Sequence, residues 1–168
     1  MIEEQGGELS ADRMVRWYAR RIYGFCRTML RDEQEVEDAC QEVFLTVVRR
    51  QDQLGTIRQP LAWVMKISRL TCLWIRRKRR PAVPLEEMEA DDLESEPAIA
   101  HEESLGRIRA AMERVPERYQ SVLLMYYQQG MSHEEIAEAM EMSRGALRVL
   151  LHRAVVRLRG EVKTVCAR

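Results

Sequence analysis

The residues best suited to chemistry lie near the carboxyl end. Between Ser132 and Arg157 the sequence shows a short helical pattern, a break at Met140–Met142, and a longer helical pattern. The outward positions of the longer one are Arg144, Gly145, Ala146, Arg148, His152 and Arg153. Short helix, tight turn, longer basic helix is the length pattern of a helix-turn-helix, whose second helix enters the DNA major groove. Each residue type has a task there. Small Gly145 and Ala146 let the helix approach base edges, Arg148 offers two donors to one guanine, and Arg153 and Arg157 suit phosphates. An ordinary charged helix surface is the plainer alternative. Two caps favour the first reading: Ser132 with Glu135 three residues on, and Ser143 ahead of the long helix.

A second candidate is the run Arg76-Arg77-Lys78-Arg79-Arg80, with Trp63 and Trp74 upstream. Five cations and two indoles can hold phosphates and stack on an unpaired base. The same residues also describe a solvated helix end beside two core tryptophans. The third candidate is acidic. A stripe of Val36, Ala39, Cys40, Val43, Phe44 and Val47 leaves Glu37, Asp38, Gln41, Glu42 and Leu45 on other faces of their helix. A DNA-binding chain has no electrostatic reason to turn Asp38 and Glu42 toward DNA. That face is therefore either solvated or a dock for a protein partner.

These residues need helices to position them, and the periodicity supplies only helices. One is expected over Ala11–Leu30, with Met14, Trp17, Tyr18, Ile22, Phe25 and Met29 near helical spacing. Asp32 caps the next, with Glu35 placed to complete a capping box. Gln51–Gln59 reads as a loop, and Pro60 suits the first turn of a third helix because its missing N–H costs nothing there. A further helix is expected from about Glu102 to Pro116 and another over Glu117–Gln128, closed by Gly130. Ile136, Ala137 and Met140 should face inward from the short helix, and Leu147, Leu150 or Leu151, Ala154, Val155 and Leu158 from the long one. No strand-like alternation competes, so the expected class is all-α.

A chain of 168 residues with 46% apolar and 32% charged residues can bury one ordinary core or two small ones. Its zero net charge hides a pattern. Residues 1–80 hold 16 Lys and Arg against 11 Asp and Glu, residues 81–104 hold none against 9, and residues 105–168 hold 11 against 7. Two basic helical domains, 1–80 and 105–168, are thus expected to flank an acidic tether at 81–104 that also carries three of the five prolines. The tether is either a solvated linker or an arm for a basic groove.

Cys26, Cys40, Cys72 and Cys166 form no CxxC or Cys/His cluster, which argues against a disulfide framework or metal site and for a reduced, cytoplasmic protein. The first residues are acidic and polar, so no secretory signal is expected. No apolar run reaches membrane-spanning length, so no membrane insertion is expected. An enzyme acting on DNA would need a carboxylate metal cluster or a nucleophile with its base. Asp91-Asp92 are the nearest imitation, and they sit in the tether. No catalytic residue and no cofactor is expected.

Taken together these residues resemble an extracytoplasmic-function (ECF) sigma factor of the sigma-70 superfamily, over almost the whole chain. EVEDACQEVFLTVVRR is similar to the family's polymerase-docking helix, D-A-E-D-x-x-Q-E-x-F-L-x-x-x-R, and PLAWVMKISRLTCLWIRRKRR to the promoter-reading helix that follows. The segment AMERVPERYQSVLLMYYQQGMSHEEIAEAMEMSRGALRVLLHRAVVRLR resembles the family pattern in its L-P-x-x-x-x-x-V-x-x-L frame (at Pro116 and Val122), its S-x-x-E-I-A helix and its L-H-R-A-x-x-x-L close.

The resemblance implies sigma domain 2 at 1–80, sigma domain 4 at 105–168, and binding of core RNA polymerase through Asp38, Gln41, Glu42, Leu45 and Arg49. It implies that Gln51–Gln59 and the third helix read and melt the minus-ten element, with Trp63, Lys66, Arg69 and the basic run on DNA, and that Ser143, Arg144 and their neighbours read the minus-thirty-five element. It implies an anti-sigma factor as a further partner and a tether that threads the polymerase RNA-exit channel. Because the chain stops soon after the last helix, no ligand-sensing extension is expected. The sequence departs from the family pattern at Leu70 and Trp74 (usually Asn and Asp), at Glu141 (often Gly) and at Val149-Leu150 (commonly Ser-Arg). The competing reading is a dimeric helix-turn-helix repressor or activator with a palindromic site.

Overall fold

The computed structural model describes residues 9–79 and 103–166, with side chains of 103–105 left aside. Arg80, most of the acidic tether and Asp91-Asp92 lie outside the described residues. Among those described there are helices and turns and no strand. The helices gather into two units, one built on the first three and the other on those after residue 103.

In the first unit, α1 (Ala11–Met29), α2 (Glu33–Arg49) and α3 (Pro60–Arg79) pack mutually. Ser10 opens α1 by accepting from the Arg13 N–H at 3.3 Å. Met14, Ile22, Phe25, Cys26 and Met29 form its buried stripe. Trp17 and Tyr18, expected on that stripe, are only half-buried, and the Arg13 guanidinium covers the Trp17 ring at 4.7 Å. Asp32 caps α2, taking the N–H groups of Gln34 and Glu35 at 3.0 and 3.2 Å. The expected return bond from Glu35 is not made. Its carboxylate is instead taken by Arg79 of α3, because an ion pair to a guanidinium outcompetes a neutral amide donor. Val36, Ala39, Cys40, Val43 and Val47 are buried as spaced, while Phe44 is half-buried.

The 51–59 segment is more ordered than a plain loop. Gln51–Thr56 makes a 3-10 turn that sinks Leu54 into the core. Pro60 then starts α3, which buries Leu61, Ala62, Val64, Met65, Ile67, Ser68 and Cys72. Each fully buried Val, Ile, Phe or Met here contributes about 1.5–3 kcal/mol. The end of α3 is tied down twice. Arg76 donates to the Met29 carbonyl at 3.3 Å, satisfying an orphan acceptor at the end of α1, and Arg79 reaches Asp32 at 3.8 Å as well as Glu35.

In the second unit, α4 (Glu103–Met112) and α5 (Glu117–Leu123) both pack on α7 (Arg144–Cys166). The buried amide of Gln120 donates to the Met112 and Val115 carbonyls at 2.6 and 2.7 Å and so closes α4. α5 does not continue as plain α-helix to Gln128. It widens at Leu124–Gln128 into a π turn, with Gln129 N–H donating to the Leu124 carbonyl at 2.9 Å. Gly130, at φ +62°, ends it in the left-handed conformation.

α6 (His133–Ala139) opens with the full reciprocal box. Ser132 N–H donates to Glu135 at 2.7 Å, and Glu135 N–H donates to the Ser132 hydroxyl at 3.2 Å. It closes with Glu141 N–H on the Glu138 carbonyl and Met142 N–H on the Ala137 carbonyl, at 3.1 and 3.0 Å. That bond pair needs a left-handed residue between, and Glu141 adopts φ +55° where glycine would cost less. Ser143 then caps α7 through Ala146 N–H at 3.2 Å.

Candidate functional site

The three-helix unit carries an open groove of 930 Å³ between α2 and α3. From α2 it takes Glu35, Asp38, Gln41, Glu42 and Leu45. From α3 it takes Leu70, Thr71, Trp74, Ile75, Lys78 and Arg79. Spacing explains both sides. Asp38, Glu42 and Leu45 repeat every three to four residues, as do Leu70, Trp74 and Lys78, so each set lines one helix face. Four of the five docking residues read from the sequence are thereby brought together. Arg49, the fifth, does not line the groove and pairs with Glu42 at 3.1 Å.

The groove has a polarity. Its α2 edge is acidic, and among the described residues Asp38 has no ion-pair partner. Its floor and far wall expose Leu45 (47%), Leu70 (45%) and Trp74 (56%). Lys78 lies over the Trp74 ring, 3.5 Å from its centroid, so one indole face is already covered. Leu70 and Trp74 were legible in the sequence as departures from the family pattern. Their membership in the acidic groove was not. The signal for it was their spacing with Lys78 on one face of α3.

The other residues of α3 divide. Trp63, Lys66 and Arg69 are half-buried along the helix, and Arg77 is exposed. Arg76 and Arg79 are spent on the fold through Met29, Asp32 and Glu35. The basic run is thus not one uniform phosphate-binding tail.

In the second unit the outward face of α7 exposes Gly145, Ala146, Arg148, Val149, His152 and Arg153. Arg144 is tied to Glu134 of α6, which braces the two helices of the helix-turn-helix. Arg157, read from the sequence as a phosphate contact, is half-buried and paired with Glu161 at 2.9 Å. Leu150 is buried, so this half of the Val149-Leu150 pair belongs to the core.

Three cysteines dispersed in sequence meet in the first unit. Cys26 of α1, Cys40 of α2 and Cys72 of α3 are buried and free. For Cys40, the hydrogen bond with Cys26 and then burial push the thiol well above its ordinary range. For Cys26, the bond with Cys40 lowers its pKa, but the bond with Cys72 and burial outweigh it and the net direction is up. These are unreactive thiols. Among the described residues no group of three or more His, Cys, Asp or Glu is arranged to hold a metal ion. No described helix is long and apolar enough to cross a membrane.

Two family models match in order: Sigma-70 region 2 over residues 14–81 and Sigma-70, region 4 over residues 105–158. The ECF RNA polymerase sigma factor SigF of Caulobacter vibrioides is 30% identical over 136 residues, covering 78% of this chain and 73% of that protein. The RNA polymerase sigma-H factor of Pseudomonas aeruginosa is 29% identical, over 90% of this chain and 85% of the relative. ECF sigma factor SigE of Mycolicibacterium smegmatis is 28% identical over 93% of this chain, which spans 63% of that longer protein. Among solved structures, the sigma factor RpoE of Bartonella quintana, in complex with the anti-sigma factor NepR, shares the fold. Its TM-score is 0.66 at 17% identity, over 90% of this chain and 96% of that one. With both regions matched in sequence order and a relative this similar over most of its own length, the chain belongs to the extracytoplasmic-function sigma factors.

Proposed function

We propose that this chain directs core RNA polymerase to a specific set of promoters, docking through the α2–α3 groove of its first unit and reading DNA through α7 and α3. The observation that carries this reading is the separation of chemistries. Asp38, Gln41, Glu42 and Leu45 share the α2 edge of one groove, an edge that duplex DNA would avoid, whereas α7 presents Arg148, His152 and Arg153 outward. A free DNA-binding repressor has no use for the acidic groove.

The physical division of labour follows. Acidic and apolar groups at the groove suit a helical polymerase surface of basic and apolar character. On α7, Arg148 reaches a base edge while Arg153 engages a phosphate. The half-buried Trp63 on α3 offers an aromatic face for an unpaired base. Opening duplex costs about 1.4 kcal/mol per base-pair step, and stacking on protein returns about 1–3 kcal/mol per base. One small unit can therefore hold an extruded base but not a whole bubble, and polymerase must share the opening. The protein works in the cytoplasm, where polymerase and promoter are, and performs no catalysis of its own. An anti-sigma protein covering the groove and α7 would silence it.

The test is transcription in vitro with core polymerase and this protein, with start sites mapped. Specific new starts are expected. Asp38→Arg together with Glu42→Arg should abolish core binding and leave the helical circular-dichroism signal unchanged. Initiation identical with and without the protein, or undiminished docking by the double variant, would overturn the reading.

A further inference from the structure

Two residues on the outward face of α7 serve neither packing nor helix formation. The buried side of the helix is set by Leu147, Leu150 and Ala154. At 3.6 residues per turn, Gly145, Val149 and His152 point the opposite way, with Arg148 and Arg153 on either flank. Val149 is 52% exposed at the centre of that face. A β-branched side chain there loses rotamer freedom in the helix and gains nothing from water.

Gly145, one turn earlier, is also unfavourable in a helix relative to Ala. The protein itself does not require it. A Cβ at Gly145 would meet only the Ser143 hydroxyl at 3.9 Å, and its backbone is not left-handed. An empty position followed one turn later by a short apolar side chain lets an outside surface come close and meet a methyl group. Base edges in the major groove offer one apolar feature, the C5-methyl of thymine.

We infer that Val149 is a specificity-determining residue that reads a thymine of the upstream promoter element through its C5-methyl group, with Gly145 providing the close approach. The inference rests on the proposed function, in that α7 must enter the major groove. The chemistry follows from the side chain, because a hydroxyl at position 149 would favour a hydrogen-bonding edge instead.

The experiment begins with an upstream element selected in vitro by the wild-type protein bound to core polymerase. Each thymine in it is then replaced in turn by uracil, which removes the methyl and keeps every hydrogen-bonding group. One position should lose about fourfold in binding, the worth of burying a single methyl. Val149→Ala should abolish the thymine-over-uracil preference at that position while keeping wild-type affinity for the uracil template. Val149 is exposed, so the variant should fold, and an unchanged helical spectrum and melting curve verify this. Full uracil tolerance at every position, or a preference that survives Val149→Ala, overturns the inference while promoter binding still supports the proposed function. Failure of the wild-type holoenzyme to select any element overturns both.

Discussion

Trp74→Ala distinguishes the two tasks available to α3. Trp74 leaves 56% of its surface open in the groove. A buried aromatic side chain covers about 150–250 Å², so a partner closing over the open part removes about 80–140 Å² from water. At about 25 cal/mol per Å² that is worth about 2–3.5 kcal/mol. The methyl that Ala retains and incomplete cover reduce it to about 1.5–3 kcal/mol, a loss of roughly tenfold to 150-fold in affinity for core polymerase. The fold should lose little, since more than half of the side chain is already open and the Lys78 ammonium over the ring is worth about 0.5–1 kcal/mol at an exposed site. Fluorescently labelled protein titrated with core polymerase gives the affinity, a urea melt the stability, and permanganate reactivity of thymines the promoter opening. Core affinity within twofold of wild type, combined with weakened opening, would refute the reasoning and return Trp74 to DNA.

Arg148→Ala should cost about 1–3 kcal/mol of discrimination at one base pair of the upstream element; an equal loss on all sequences in competition binding would make it a phosphate contact. In native protein, a thiol reagent such as DTNB should titrate exposed Cys166 quickly and Cys26, Cys40 and Cys72 only at the rate of unfolding, because all three are buried and because burial and hydrogen bonding push the Cys26 and Cys40 thiols upward. A second fast thiol would contradict that account. Gly130→Ala places a side chain at φ +62°, a strain of about 1–2 kcal/mol that the stiffer unfolded chain offsets by about 0.4–1 kcal/mol, so a net loss of about 0.5–1.5 kcal/mol is expected in a urea melt. No measurable loss would mean that the turn relaxes.

What was legible in the sequence is what neighbours along the chain decide. The box at Ser132, the caps at Asp32 and Ser143, the start at Pro60 and the left-handed close at Gly130 involve residues a few positions apart, and backbone geometry fixes their outcome. Most of the buried stripes were legible for the same reason, since a 3.6-residue period reports which side faces inward, while Trp17, Tyr18, Phe44, Val155 and Leu158 at the margins stay half-buried. That was enough to define an all-α chain, a helix-turn-helix with a cationic outer face, and an acidic face on α2 that is either solvated or a dock for a protein partner.

The rest required helices to be placed beside one another. Period alone cannot say that Arg79 takes Glu35 away from its cap across 44 residues, that Gln120 closes α4, or that three separated cysteines share one core. Nor can it say that Leu70 and Trp74 stand across a groove from Asp38 and Glu42. Each helix determines its own outward face. Which outward faces become the two walls of one site is set by close packing of the buried stripes, whose side chains fix how far each helix is turned toward the next.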